Sequence, residues 1–218
     1  NMSKLKAVLF DMDGVLLDSE PLHDKIAILV LQKFGIEANH DILNKYVGSS
    51  SKVMWEDLVV RFSLPSTSEE LLDLYWKTII DELKISGIQA SEGILVLLEN
   101  LRASKIVTAV ASSSRRDFIL AVMDYIGIAG YMDEIVDGFS IKNGKPAPDI
   151  YLEAARRLGV KSDECLVIEE STNGINAGKN AGMKVVGYDN PTSLGQSMER
   201  ADYVVKRLVQ VVDIIQEL

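Results

Sequence analysis

Residues 7–14 read AVLFDMDG, four apolar residues followed by two aspartates and a glycine. A short apolar run without polar alternation is typical of a parallel strand that is buried on both faces. Similar runs recur at residues 107–111, 166–168, 185–188 and 203–205. Helical patterns separate these runs from about residue 90 onward. We therefore expect an α/β fold with a doubly wound, mostly parallel, Rossmann-like sheet.

The segment from residue 18 to residue 87 does not follow this alternation. Leu22, Ile26 and Val30 recur at helical spacing after Ser19, a candidate N-cap residue. A second helix is expected over residues 52–62, and a third after the capping-box pattern at residues 67–70. The sequence thus predicts an α/β domain made of residues 1–17 and 88–218, with an all-helical insert at residues 18–87 after the first strand.

Composition and charge exclude several classes of protein. The 218 residues include 32 acidic and 23 basic side chains, which gives a net charge of −9. An acidic chain without a basic stripe is not expected to bind nucleic acid. Hydrophobic residues make up 47% of the chain, yet no apolar stretch approaches membrane-spanning length. The single cysteine, Cys165, fits a reducing compartment, and we expect a cytoplasmic protein. A monomer is the base expectation, because no heptad pattern or exposed apolar helix argues otherwise.

Polar residues follow three of the predicted strands. Asp11 and Asp13 come after the first strand, a serine cluster at residues 112–114 after the second, and Glu169 and Glu170 after the third. Ligands of open α/β sheets bind beyond the carboxyl ends of the strands. Carboxylates that converge there repel one another unless a cation lies between them, and oxygen ligands favour Mg²⁺.

Each of these features also has a simpler explanation. The two aspartates fit a turn, the serines fit a helix N-terminus, and the two glutamates fit a solvated corner. Their coincidence at three strand ends favours a common site. The hydroxyls of Ser112 and Ser113, together with the backbone N–H groups at a helix start, would then hold a phosphate.

Four segments resemble the motifs of the haloacid dehalogenase superfamily, and more narrowly its β-phosphoglucomutase-like phosphatases with a helical cap. Residues 11–20 resemble the first motif, and Ser112 the second. Residues 144–149 resemble the third motif, and residues 169–174 the fourth. They occur in order and span nearly the whole chain. The resemblance implies an Mg²⁺-dependent phosphatase that forms an aspartyl-phosphate, with residues 18–87 as the cap.

The resemblance also implies roles for individual residues. Asp11 would be the nucleophile, and Asp13 would act as general acid and then general base. Ser112 and Lys145 would hold the phosphoryl oxygens. His23 matches a family position that supports Asp13.

The metal site implied by the resemblance differs from the family pattern at one position. The ligands of Mg²⁺ would be Asp11, the backbone carbonyl of Asp13 and Glu170. Glu169 could also bind the ion. The family usually has Asp where this chain has Glu170. The extra methylene would shift the ligand oxygens or allow bidentate or water-mediated binding.

Two other functions remain open on the sequence. A phosphomutase would share the same core residues but must grip a second phosphate, and the loop at residues 47–52 offers only Lys52 as a cation. A non-catalytic metal- or phosphate-binding module is the second alternative. Asp149 has two interpretations as well, since it could orient Lys145 or cap the helix expected from Ile150.

Overall fold

The computed structural model describes residues 4–191 and 193–218. The chain divides into two compact units. The α/β unit contains the chain up to Asp18 and from Gln89 onward, and the helical unit is Ser19–Ile88. Among the described residues, no helix is long and apolar enough to cross a membrane.

The α/β unit is built on one parallel sheet. Its strands are β1 (Ala7–Phe10), β2 (Val107–Ser112), β3 (Glu134–Asp137), β4 (Cys165–Glu169), β5 (Lys184–Tyr188) and β6 (Tyr203–Val205). The strand order is β3-β2-β1-β4-β5-β6, and every pairing is parallel. The predicted α/β fold with a Rossmann-like sheet is confirmed.

Two strands extend further than the apolar runs indicate. Ser112 is the last residue of β2, and Glu169 is the last residue of β4. The prediction that both residues follow their strands is therefore wrong by one residue. Backbone pairing with neighbouring strands, Ser112 with Asp137 and Glu169 with Gly187, continues the ladder past the apolar side chains.

Strand β3 was not predicted from the sequence. It is four residues long, begins with Glu134 and ends with Asp137, so it offers no apolar run. It lies at the edge of the sheet, where only one neighbour covers it and polar residues are tolerated.

Within the part of the chain that the structure describes, the α/β unit contains five α-helices, of which the last follows β6. They are α5 (Ile94–Ala103), α6 (Arg116–Tyr125), α7 (Asp149–Leu158), α8 (Thr172–Asn180) and α9 (Gln210–Gln216). Small and branched side chains of β1, β2 and β4 pack with α7 and α8 in one buried cluster. Leu9 and Val167 are fully buried in that cluster, as expected for central strands.

The helical unit contains α1 (Glu20–Gln32), α2 (His40–Leu43), α3 (Ser51–Arg61) and α4 (Ser68–Leu83). The capping box predicted at residues 67–70 is confirmed, because Thr67 accepts from the Glu70 N–H and the Glu70 carboxylate accepts from the Thr67 N–H. Ser19 precedes α1 but its side chain makes no capping hydrogen bond. A cluster of Trp55, Tyr75 and Trp76 forms the aromatic core of this unit.

The register of the sheet sets the geometry of the site. Phe10, at the end of β1, pairs with Val110 on one side and with Ile168 on the other. The residues that follow these three positions therefore lie side by side at the carboxyl edge of the sheet, although those of β2 and β4 still belong to their strands. Asp11, Ala111 and Glu169 are those residues.

Candidate active site

Asp11 lies at the centre of the carboxyl edge of the sheet. Its backbone N–H donates to the Ile168 carbonyl at 3.1 Å, which continues the β1–β4 ladder by one residue. Only 8% of Asp11 is exposed. The carboxylate is therefore held at a fixed position between the ends of two central strands.

Lys145 reaches Asp11 from the loop before α7. Its Nζ donates to Asp11 Oδ1 at 3.0 Å, to the Ala111 carbonyl at 3.0 Å and to Glu169 Oε1 at 2.6 Å. Burial alone would lower the pKa of Lys145, but the charges of Asp11 and Glu169 outweigh it and raise the pKa above its usual value. Lys145 is therefore a buried cation with all three donors engaged.

Glu169 is fully buried at the end of β4. Its Oε1 accepts from Lys145 Nζ and, at 2.5 Å, from the Tyr151 hydroxyl. Its Oε2 accepts from the Glu170 N–H at 3.2 Å. A carboxylate has about four acceptor positions, so these bonds leave about one for another ligand.

Glycine at position 174 is required by this placement of Glu169. A Cβ at Gly174 would lie 2.0 Å from both Cδ and Oε2 of Glu169. Gly174 belongs to the first turn of α8, where its N–H donates to the Ser171 side chain. The start of α8 thus packs directly against the Glu169 carboxylate.

Glu170 packs against the turn that follows the two aspartates. Gly14 has φ +83°, and a Cβ there would lie 2.8 Å from Glu170 Cγ. The Gly14 N–H donates to the Leu17 carbonyl, and its own carbonyl accepts from Asn190 Nδ2 at 2.9 Å. A left-handed glycine is thus needed both for the turn and for the approach of Glu170.

Three carboxylates form a group that could hold a metal ion. One oxygen from each of Asp11, Glu169 and Glu170 lies within 4.8 Å of the others. Oxygen ligands around one Mg²⁺ at ~2.0–2.1 Å lie within about 4.2 Å of one another, so the spacing is close to that of a shared ion. The donors are all hard oxygens, which suits Mg²⁺. The residues present therefore fit the cation that the sequence implies.

The raised pKa of the Asp11 carboxyl shows that its ionised form needs more positive charge nearby than Lys145 supplies. Burial raises the pKa of the Asp11 carboxyl well above its usual range, and the charge of Glu169 raises it further. Lys145 opposes both effects but does not cancel them. A cation bound to the carboxylates would favour the ionised form of Asp11, which is the form a nucleophile requires.

Asp13 contacts the loop that follows β2. Asp13 Oδ2 accepts from Ser114 Oγ at 3.0 Å, and the fully buried Ser112 Oγ accepts from the Ser114 N–H at 3.1 Å. The Asp13 carboxylate is outside the three-carboxylate group. The carbonyl of Ser113 lies so close to Gly138 that a Cβ there would be 2.5 Å away. This loop is thus anchored by close backbone packing.

The serine cluster does not start the following helix. Helix α6 begins at Arg116, with Arg115 at the N-cap position and no side-chain capping bond. The expectation that Ser112 and Ser113 lie at the helix start is therefore wrong, because Ser112 ends β2 and Ser113 lies in the loop that follows. Their part in phosphate binding stays a prediction. The Ser112–Ser114 hydrogen bond shapes that loop instead.

Two other sequence predictions concern His23 and Asp149. His23 belongs to α1 in the helical unit, where its Nδ1 forms a short hydrogen bond with the Tyr75 hydroxyl and its ring stacks on Tyr75. Asp149 is the first residue of α7, and Pro148 occupies the N-cap position. The Asp149 carboxylate accepts from the backbone N–H and side-chain amide of Asn143. The prediction of Asp149 as an N-cap is therefore wrong.

Sequence reasoning did not identify three residues that shape the site, namely Tyr151, Gly174 and Asn190. Tyr151 and Asn190 each contact a residue far away in the chain, Glu169 and the Gly14 carbonyl respectively. Gly174 packs against Glu169, which is close to it in sequence. A tyrosine on an apolar helix face carries no functional signal of its own, and Gly174 carries one only as the last residue of the motif at residues 169–174. Only the packing of α7, α8 and the segment after β5 reveals them.

Comparison with known proteins identifies the family. The family model described as haloacid dehalogenase-like hydrolase matches residues 8–188. A probable pseudouridine-5'-phosphatase of Drosophila melanogaster is 32% identical over 97% of this chain and 92% of its own length. A phosphorylated carbohydrates phosphatase of Thermotoga maritima is 29% identical over 92% of this chain and 93% of its own length.

One relative carries a different activity in its name, and a solved structure supports the fold. The β-phosphoglucomutase of Bacillus subtilis is 32% identical over 93% of this chain and 90% of its own length. The crystal structure of CbbY from Rhodobacter sphaeroides in complex with phosphate superposes with a TM-score of 0.86 at 22% identity, covering 95% of this chain and 96% of that one. The family match over most of the chain, together with these relatives, shows that the chain belongs to the haloacid dehalogenase-like hydrolases.

Proposed function

We propose that this chain is an Mg²⁺-dependent phosphatase that hydrolyses a small phosphorylated metabolite, with a sugar phosphate as the preferred class. The observation that carries the proposal is the contact of Lys145 Nζ with Asp11 Oδ1 across 134 residues of sequence. It brings a cation able to bind phosphoryl oxygens to the carboxylate that would attack phosphorus.

Asp11 would act first. One of its carboxylate oxygens attacks the phosphorus atom, the P–O bond to the leaving group breaks, and an aspartyl-phosphate forms. Asp13 gives a proton to the leaving alkoxide, so the organic product departs as an alcohol. Ser114 holds the Asp13 carboxylate at 3.0 Å, which fixes its orientation for this transfer.

The second step regenerates the enzyme. Asp13, now ionised, takes a proton from water as the water attacks the phosphorus, and the bond between phosphorus and the Asp11 oxygen breaks. Inorganic phosphate leaves, and Asp11 is again a free carboxylate. Lys145, with Ser112 and Ser113, would hold the non-bridging oxygens in both steps.

Asp11, the carbonyl of Asp13, Glu170 and Glu169 are the residues that would hold Mg²⁺. A bound Mg²⁺ would neutralise charge on the phosphoryl group and orient it toward Asp11. The helical unit, Ser19–Ile88, would act as the cap domain, with His23 as a support for Asp13.

A phosphomutase is the second candidate, because the Bacillus subtilis relative with that name is as similar as the Drosophila phosphatase. The loop at residues 47–52 favours the phosphatase, since Lys52 is its only cation and a mutase must grip a second phosphate. A mutase would interconvert phosphosugar isomers in the presence of a bisphosphate primer and release little inorganic phosphate.

The proposal is tested by measuring phosphate release from a panel of phosphorylated metabolites with and without Mg²⁺. Hydrolysis of at least one ester that depends on Mg²⁺ is the expected result. The Asp11→Asn variant should lose turnover while keeping its fold by circular dichroism. Asp124→Asn, which alters an exposed residue of α6, serves as the matched control and should keep full activity.

Two outcomes would contradict the proposal. Appreciable turnover by Asp11→Asn would exclude Asp11 as the nucleophile. No turnover of any ester by the wild-type chain, with or without Mg²⁺, would favour the non-catalytic binding module.

A further inference from the structure

Tyr151 is a fully buried residue that contacts two side chains of the site, Glu169 and Lys145. It is the third residue of α7, and its hydroxyl donates to Glu169 Oε1 at 2.5 Å. The same oxygen accepts from Lys145 Nζ at 2.6 Å. One carboxylate oxygen is thus shared by a neutral donor and a charged donor.

The ring of Tyr151 also contacts Lys145. Lys145 Nζ lies 5.1 Å from the centroid of the ring, within the range of a cation–π interaction. Tyr151 therefore touches both members of the Lys145–Glu169 ion pair, the ring with the cation and the hydroxyl with the anion.

We propose that Tyr151 is a positioning residue that holds Glu169 and thereby keeps Lys145 directed at Asp11, available to the phosphoryl group. This inference rests on the proposed function, because it takes Lys145 as the residue that binds phosphoryl oxygens.

Two effects of the hydroxyl support this role. A buried carboxylate that is held by several donors has a fixed orientation, and Glu169 would lose one of its two Oε1 donors without the hydroxyl. The remaining donor, Lys145, would then be drawn more strongly to Glu169. Because the ammonium group has only three donors, a tighter bond to Glu169 reduces its freedom to engage phosphate oxygens.

The ring and the hydroxyl can be separated by substitution. Tyr151→Phe removes the hydroxyl and keeps an aromatic face under Lys145, whereas Tyr151→Leu removes both. Tyr131→Phe is the matched control, because the Tyr131 hydroxyl also donates to a glutamate, Glu99, at 3.4 Å but lies away from the site.

The experiment measures binding of inorganic phosphate in the presence of Mg²⁺ by titration calorimetry, together with kcat and KM for the best ester of the panel. Loss of a hydrogen bond to a charged group predicts that Tyr151→Phe weakens phosphate binding by roughly tenfold. Tyr131→Phe should bind phosphate as the wild type does. Tyr151→Leu should bind phosphate more weakly than Tyr151→Phe, since it also loses the cation–π contact.

A double-mutant cycle separates positioning from a general loss of packing. If Tyr151 acts through Glu169, Tyr151→Phe should have little further effect on phosphate binding in a Glu169→Gln background. Wild-type phosphate affinity in Tyr151→Phe would overturn the inference, as would an undiminished effect in the Glu169→Gln background. A wild-type chain that neither binds phosphate nor hydrolyses any ester would instead overturn the proposed function, and this inference with it.

Discussion

Substitution of Lys145 by methionine tests the electrostatic structure of the site. Methionine keeps the aliphatic stem and removes the ammonium group, which makes three hydrogen bonds in a position where its side chain is 8% exposed. The variant would leave Asp11 and Glu169 buried without their shared cation. Glu170 lies beside them, so three carboxylates would face one another.

The expected cost follows from these contacts. Removal of one partner from a buried ion pair costs roughly 3–5 kcal/mol of unfolding free energy. Repulsion between two carboxylate oxygens is of similar size, about 3–4 kcal/mol at the upper limit of their separation, 4.8 Å, and an effective dielectric constant of about 20. For a chain of this length, we expect the melting temperature to fall by roughly 6–20 °C in metal-free buffer.

The assay is thermal and urea unfolding in a chelator, followed by far-ultraviolet circular dichroism. Tryptophan fluorescence provides a second signal that reports the helical unit, because both tryptophans, Trp55 and Trp76, lie there. Lys142→Met, which alters an exposed lysine of the same loop, is the matched control and should unfold like the wild type.

Two further measurements isolate the cause of the effect. The Lys145→Met, Glu169→Gln double variant should recover part of the lost stability, because it removes one of the repelling charges. Lower pH should also reduce the difference in melting temperature between Lys145→Met and the wild type. Burial and the charge of Glu169 raise the pKa of Asp11, so Asp11 can take up a proton, which relieves the repulsion between the carboxylates. A Lys145→Met variant as stable as the wild type at pH 7 in chelator would refute the electrostatic reasoning.

Two other predictions concern the packing and the alkaline stability of the site. Alanine at a helical glycine usually stabilises a protein by about 1 kcal/mol, but Gly174→Ala should destabilise the chain by about 1–3 kcal/mol because its Cβ would displace Glu169. The control is Gly130→Ala, where a Cβ meets nothing within 4 Å and no loss of stability is expected. Equal urea midpoints for the two variants would contradict this prediction. Stability should also fall as pH rises above about 10, because the folded-state pKa values of Lys145 and Tyr151 are both raised. The stabilisation from the Lys145 ion pairs is complete below the unfolded-state pKa of lysine, 10.5, and is lost as pH rises above it. Tyr151 ionises first in the unfolded chain, above pH 10.0, which favours unfolding. Urea midpoints from pH 8 to pH 11 check this, and a flat profile would argue against the buried Lys145–Glu169–Tyr151 cluster.

Local sequence patterns predicted the strands that consist of an apolar run and the helix that begins with a capping box. The apolar runs of β1 and β6 match the observed strands at both ends, and the capping box at residues 67–70 starts α4. Edge strand β3 lacks such a run, because it begins and ends with an acidic residue and its first two residues are only partly buried. The ends of β2 and β4 were underestimated because backbone pairing, rather than side-chain polarity, sets where a strand stops.

The sequence by itself determined the class of the fold, the family and the residue types that gather at the carboxyl edge of the sheet. These follow from periodicity and from short motifs, which are local properties of the chain. Only the tertiary structure decided which atoms meet: Lys145 lies between Asp11 and Glu169, Tyr151 shares Glu169 Oε1, and Gly174 makes room for that carboxylate. The physical reason is that hydrogen bonds and ion pairs depend on distances of a few tenths of an ångström. Those distances are set by how separate helices and strands pack against one another, which no local pattern encodes.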